Sequence, residues 1–400
     1  MSRNPVRATA LLRMVTIGAA AVLGLAACSP SETASGAGSS SAAPGSGQTT
    51  SVPADTAAAF QKAIDDTRAA GNLPGVIARV ISPAGTWTGT SGVRVAGGDD
   101  PIQTADHTRI GSLTKTMTAT LLLQLVQEGR VSLDDRIDRF VPDAPNGSAT
   151  LRQVADMTSG IPSYTASESF DRKFFADPES VWTPTELVDT AKALPPSFPP
   201  GQGWEYSNTN YVLLGLVIEK VLAKPIGEVF ADRIFTPLGM DESSWPGGSV
   251  EIPDPHLDGL TDQGQPDGQT VDSTRRNPSF ASTAGAVIST VDDLQTWGEA
   301  LFTGQGVLNP PTQQLRRDSI LTSPPPNTAT SGYGIGIGNR DGWWGHDGDF
   351  PGYNTSLFHN YDSDTAIIIV INTDDDAMTV DGKSTTPVSA VQAGLIAALP

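Results

Sequence analysis

Ser112-Leu113-Thr114-Lys115-Thr116-Met117-Thr118-Ala119-Thr120-Leu121-Leu122-Leu123-Gln124-Leu125-Val126 is the stretch on which both the fold and the chemistry of this chain turn. Met117, Leu121, Leu122, Leu125 and Val126 recur at helical spacing, which predicts a long core helix over Ser112 to Glu128. A separation of three residues puts the Ser112 hydroxyl and the Lys115 amine on one face of that helix. A serine hydroxyl is a poor nucleophile until a base takes its proton, and a partly desolvated lysine can be that base. The helix N-terminus also aims backbone N–H groups at any charge developing on an attacked carbonyl. Alone the pattern is weak, because a surface lysine on a core helix looks the same.

Two further patterns sharpen it. Tyr206-Ser207-Asn208 follows a Pro/Gly-rich approach and precedes an apolar helix over Asn210 to Leu222, so it is expected on a loop facing a cleft. A tyrosine phenol beside a lysine ammonium has its pKa lowered and can relay a proton, and an asparagine amide can hold a substrate carbonyl. His346-Asp347-Gly348 is expected at the edge of a strand, where the glycine lets a substrate lie close and His346 stands where a basic group would serve. Among seven lysines only Lys115 has a serine three positions before it; only Tyr206 among six tyrosines has asparagine two positions on; only His346 of four histidines has glycine two positions on.

Working outward, Thr56 to Ala70 reads as a helix, followed by strands at Val76 to Ile81 and Thr86 to Thr90. Strands return at Tyr333 to Gly338, Tyr353 to His359 and Ala366 to Ile371, with a last helix over Val388 to Leu399. Between them Leu151 to Met157, Thr185 to Ala193 and Val291 to Leu301 read as helices, and Pro253 to Asp272 as a long loop. Strands from both ends enclosing a helical middle predict an α+β fold. Its antiparallel sheet is flanked by helices, and a helical subdomain is inserted within about residues 130–300. Residues 53–400 are expected to form this domain.

The first 52 residues read differently. Arg3, Arg7 and Arg13 precede a short apolar run, Met14 to Leu25, too short to span a membrane comfortably. Leu25-Ala26-Ala27-Cys28-Ser29 resembles a bacterial lipoprotein cleavage site, with Cys28, the one cysteine of the chain, as the residue to be lipidated. Residues 1–27 are thus expected to be a signal peptide, and 28–52, rich in Ser, Gly and Ala, a flexible tether. The expected location is the outer face of a bacterial cytoplasmic membrane, held by a lipid anchor at Cys28. One cysteine permits no internal disulfide. A formal net charge of −19 without a basic stripe excludes nucleic acid as a partner. The scattered histidines make no zinc pattern, and Asp374-Asp375-Asp376 lacks the spacing of a calcium loop and reads as a solvated turn. No metal or other cofactor is expected.

In these motifs the chain resembles the β-lactamase and penicillin-binding-protein superfamily, whose three signatures are Ser-x-x-Lys, Tyr-x-Asn and Lys/His-x-Gly. The Tyr and His variants are similar to its class C-like branch of D-alanyl-D-alanine carboxypeptidases, class C β-lactamases and related esterases. Arg109-Ile110-Gly111, Gly129-Arg130-Val131-Ser132-Leu133-Asp134-Asp135 and Met157-Thr158-Ser159-Gly160-Ile161-Pro162 agree. The resemblance implies Ser112 as acylated nucleophile, Lys115 and Tyr206 as the proton-handling pair, and Asn208 as a substrate-orienting amide. His346 and Gly348 would line the far strand, and the backbone N–H groups of Ser112 and Asp349 would form an oxyanion hole. It implies a hydrolase acting on a cell-wall peptide or a small amide or ester, with a β-lactamase or a non-catalytic envelope binding domain as alternatives. Asp347 and Asp349 depart from the pattern, since two acids repel an incoming carboxylate unless a cation intervenes. Arg340 is the cation nearest in sequence.

Overall fold

The computed structural model describes residues 51–266, 269–374, 378–380 and 383–400. The expected signal peptide and almost all of the tether therefore lie outside the described residues. Seven strands form one antiparallel sheet: β1 (Gly75–Ser82), β2 (Gly85–Gly92), β3 (Ser331–Tyr333), β4 (Gly338–Arg340), β5 (Trp343–Phe350), β6 (Tyr353–Asn360) and β7 (Thr365–Ile371). Their order is β2-β1-β7-β6-β5-β4-β3, so the last strand of this sheet lies beside the first. The α+β architecture expected from the sequence is the one observed.

Both faces of this sheet are covered, and β7 shows why its sequence is a near-continuous apolar run. Ile367, Ile369 and Ile371 pack with Phe60, Ile64, Val391 and Leu395, whereas Ile368 and Val370 join the larger core on the opposite face. Phe60 and Ile64 belong to the first helix, α1 (Ala54–Gly71), and Val391 and Leu395 to the last, which closes the chain at Pro387–Ala397. The larger core holds the helical layer, including α2 (Thr114–Gln127), α3 (Asn208–Leu222) and α4 (Val291–Thr303).

Helix α2 is buried on every side from Thr114 to Leu125, an unusual setting for four threonines. Each polar group there needs a partner. Thr118 Oγ1 donates to the Thr283 carbonyl at 2.8 Å, Thr120 Oγ1 to the Thr116 carbonyl at 2.7 Å, and Trp297 Nε1 donates to Thr116 Oγ1 at 2.8 Å. Thr114 Oγ1 accepts from the Val287 N–H at 3.2 Å. The helix is thereby tied to its neighbours by directional bonds as well as packing, which holds the residues at its start in place.

The expected strand over Tyr333 to Gly338 is instead two short strands, β3 and β4, separated by a tight turn. Gly336 explains it: its φ is +69°, and a Cβ there would meet Ala119 Cβ at 2.3 Å and the Lys115 carbonyl at 2.9 Å. The turn presses directly onto α2, and only glycine fits. Asp374, read as part of a solvated turn, is buried and accepts hydrogen bonds from Thr261 Oγ1 and Gln263 Nε2. Residues 375 and 376 lie outside the described residues.

Candidate active site

Ser112 sits in a 3₁₀ turn, Gly111–Leu113, that leads into α2 and places the serine just before the helix proper. Gly111 has φ +51°, and a Cβ on it would lie 2.6 Å from both the backbone N and O of Asp349. Strand β5 therefore brings the backbone of Asp349 against the turn that carries Ser112. Gly348 is as tightly held: a Cβ there would stand 2.0 Å from the Ile110 carbonyl oxygen and 2.2 Å from Thr355 Oγ1. Thr355 Oγ1 donates to that same Ile110 carbonyl at 2.9 Å, binding the turn to the sheet. Strand β4 pairs with β5 only from Trp343 to Gly345, so the strand edge from His346 onward is open toward the turn.

Lys115 is completely buried, and its Nζ lies 2.7 Å from Ser112 Oγ and 2.7 Å from the Ala284 carbonyl oxygen. The rings of Tyr206 and Tyr211 stand 4.8 and 5.8 Å from the same nitrogen. Among the described residues no carboxylate pairs with it, and burial holds its pKa well below the ordinary lysine range. A lysine amine whose ionisation is so disfavoured, in contact with a serine hydroxyl, is placed to take its proton.

Tyr206 is partly buried and hydrogen-bonded through its phenol to the Ser112 side chain. The sequence led us to expect its pKa lowered by a lysine ammonium; the structure has it raised, burial outweighing the hydrogen bond from Ser112 and opposed to ionisation further by Asp347 and Asp349. The phenol is therefore a proton donor near neutral pH, and Lys115 the base of the pair. Asn208 is the first residue of α3 rather than a loop residue, its backbone N–H donating to Ser163 Oγ at 3.3 Å.

His346 lies within β5, not at its edge, and both ring nitrogens are engaged. Nδ1 contacts the Asp347 carbonyl, which can only accept, so Nδ1 carries the proton and Nε2 accepts from the Tyr333 hydroxyl at 3.0 Å. Burial, followed by the charge on Lys115, holds its pKa down at about 4. It is a neutral, fully bonded strut and not the cationic partner its motif suggested. Arg340 forms an ion pair with Asp347, while the Asp349 carboxylate is exposed and accepts from Asn354 Nδ2 at 3.3 Å.

Ser112, Lys115, Tyr206, His346, Gly348 and the Asp349 backbone are thus brought to one place. Sequence reasoning missed three contributors: the Ala284 carbonyl, Tyr211 and Tyr333. The Gly334-Ile335-Gly336 alternation after Tyr333 was a signal that this tyrosine sits on a sharply folded turn, and it went unread. Ala284 acts through its backbone, which leaves no mark in side-chain patterns. Among the described residues, no group of three His, Cys, Asp or Glu side chains is placed to hold a metal ion.

A family model described as Beta-lactamase matches residues 60–389. The crystal structure of a D-stereospecific amidohydrolase from Streptomyces sp. superposes with a TM-score of 0.74 at 33% identity, covering 86% of this chain and 99% of that one. D-amino acid amidase from Ochrobactrum anthropi SV3, complexed with L-phenylalanine amide, gives 0.74 at 28% identity, with coverage of 86% and 99%. A penicillin-binding protein of Bacillus subtilis (strain 168) is 33% identical over 147 residues, which make up 36% of this chain and 31% of that protein. The chain therefore aligns with only about a third of that relative's length.

Proposed function

The chain belongs to the beta-lactamase family of serine hydrolases, and from that premise we propose that it hydrolyses an amide or ester through an acyl-enzyme on Ser112. The observation that carries this is the buried Lys115 amine 2.7 Å from Ser112 Oγ, its pKa held down by burial. Lys115 takes the serine proton as Oγ attacks the substrate carbonyl. The oxygen that becomes negative is met by the N–H groups of Ser112 and Asp349, each such donor contributing roughly 3 kcal/mol to barrier lowering. Tyr206, kept protonated by burial, delivers its proton to the leaving nitrogen or oxygen and is reprotonated from Lys115. A water then repeats the sequence on the acyl-enzyme, its proton passing back through the same pair, and releases the acid.

The substrate class we infer is a peptide-like amide or ester, a D-alanyl-D-alanine-type cell-wall peptide or a simpler D-amino acid derivative. The Asn208 amide would orient it. The two structural relatives named above support this, one being a D-stereospecific amidohydrolase and the other a D-amino acid amidase. We further propose that the enzyme works outside the cell, anchored by lipid on Cys28 and separated from the membrane by the tether of residues 28–52.

Incubating the purified chain with a nitrophenyl ester and with a fluorescent penicillin, alongside Ser112→Ala, tests the reading. Serine-dependent ester turnover, or covalent labelling by the penicillin, is expected. If neither reagent reacts in a Ser112-dependent way, the catalytic reading fails and a binding role takes its place.

A further inference from the structure

Met157-Thr158-Ser159-Gly160-Ile161-Pro162 takes no part in the steps proposed for Ser112, yet its first residue is held in an unusual way. Met157 follows the short helix Leu151–Ala155 and is completely buried. Its φ is +70°, a left-handed conformation that bulky side chains rarely adopt and that persists only where the surroundings enforce it.

The partners of Met157 show what that conformation achieves. Its carbonyl accepts from the Glu205 N–H at 3.1 Å, and its Sδ accepts from the Ser207 N–H at 3.4 Å. The residue between those two donors is Tyr206. One methionine therefore grips the backbone on both sides of the residue whose phenol is hydrogen-bonded to Ser112. The same Sδ accepts from Asn210 Nδ2 at 3.4 Å, in the first turn of α3, and Asn210 Oδ1 accepts from Ser159 Oγ at 2.8 Å. Other bonds between these segments fall farther from the phenol: the Gly201 N–H donates to the Thr158 carbonyl at 2.8 Å, and the Asn208 N–H to Ser163 Oγ at 3.3 Å. The Ser207 hydroxyl, also buried, has no hydrogen-bond partner among the described residues, so its side chain does not fasten the loop.

We propose that Met157 is a positioning residue for Tyr206. Its carbonyl and sulfur fix the backbone on either side of Tyr206 and so set the phenol against Ser112 and the leaving group. This rests on the Ser112 acyl-enzyme reading, in which Tyr206 protonates the departing atom. A positioned proton donor contributes about 10²- to 10⁴-fold to rate, and that benefit depends on its distance being held closely. A thioether is a weak acceptor, and the carbonyl bond to Glu205 does not depend on it. Removing the sulfur therefore forfeits part of that factor. The loss falls on substrates whose leaving group needs a proton: nitrophenolate departs readily as the anion, whereas the more basic phenoxide relies on the donor.

The test compares 4-nitrophenyl acetate with phenyl acetate, which share an acyl group and differ in the basicity of the phenol released. Met157→Leu keeps an apolar side chain of similar volume and removes the acceptor. In the full chain it should raise the nitrophenyl-to-phenyl ratio of kcat/KM about tenfold. Met157→norleucine, which keeps the unbranched chain, should do the same and serves where leucine does not fold. Met157→Gln returns an acceptor oxygen at similar length and should hold the ratio within about threefold of the parent. Using a ratio cancels any general loss of activity, which a purely structural role would produce with both esters alike. In Tyr206→Phe, where the proton donor is gone, removing the sulfur should leave the ratio unchanged. A ratio that does not move without the sulfur, moves equally in Met157→Gln, or moves as much in the Tyr206→Phe background overturns the proposal and leaves the acyl-enzyme reading standing. Absence of Ser112-dependent turnover with both esters overturns both.

Discussion

Gly348→Ala probes the joint between the nucleophile turn and the oxyanion strand. A methyl at this position would start 2.0 Å from the Ile110 carbonyl oxygen and 2.2 Å from Thr355 Oγ1. Ordinary contact begins at 3.4 Å, so β5 must withdraw from the Ile110–Gly111 backbone by about 1.4 Å. Oxyanion donors act at roughly 2.7–3.1 Å, and a withdrawal of that size takes the Asp349 N–H out of hydrogen-bond reach of an oxygen bound above Ser112. The expected cost is that of losing one donor, about 10²- to 10³-fold in acylation rate. Overpacking and loss of the Thr355 to Ile110 hydrogen bond should cost stability by about 2–4 kcal/mol, which leaves a domain with this much core folded at room temperature. Stopped-flow acylation by a nitrophenyl ester measures the first effect and a thermal melt the second. If the folded variant acylates within threefold of the parent, Asp349 does not supply an oxyanion donor.

Lys115→Met should lower acylation by at least about 10²-fold, since it removes the general base. The same change should stabilise the protein as pH falls. The folded pKa of Lys115 lies below its unfolded value, so the unfolded chain binds the proton more readily and the wild type loses stability below the unfolded pKa, an effect absent in the variant. In the wild type, kcat/KM should rise with pH through the depressed Lys115 pKa, and a flat profile there would remove Lys115 from the mechanism. His346, held at about 4 against an ordinary 6.5, contributes stability that is fully present above pH 6.5 and falls away by about 3 kcal/mol as pH drops toward 4. His346→Gln should flatten that part of a stability-versus-pH curve. Tyr333→Phe should slow acylation several-fold in the parent yet add little in a His346→Gln background, because the two act through one hydrogen bond; additive effects would separate them. Cys28→Ala should shift the protein from the membrane fraction to the medium, and retention in the membrane would exclude a lipid anchor at that residue.

Strong local signals made much of this fold readable in the sequence. Ala366 to Ile371 is legible as a strand from its apolar run, and the structure supplies the reason for that run, since alternate side chains serve two different cores. The nucleophile helix was legible because its leucines repeat at helical spacing and a lysine follows the serine by three. What could not be read was the effect of burial on charge. The sequence suggests a Tyr206 phenol acidified by a neighbouring cation and a His346 standing in for a basic group, and desolvation reverses both expectations. Tyr333 and the Ala284 carbonyl were invisible for a related reason: each reaches the site only once distant segments have packed. Asp374 looked like a surface acid because its neighbours in sequence are acids, yet Thr261 and Gln263, more than a hundred residues away, take it into the interior.

The claim everything else depends on is that Ser112 is activated by Lys115 and becomes covalently modified. Treating the full chain with a fluorophosphonate and mapping the modified peptide by mass spectrometry addresses it directly. One adduct per chain on Ser112, lost in Ser112→Ala and formed far more slowly in Lys115→Met, is the expected result. An adduct on another residue, or labelling of Ser112 at an unchanged rate without Lys115, would contradict the account.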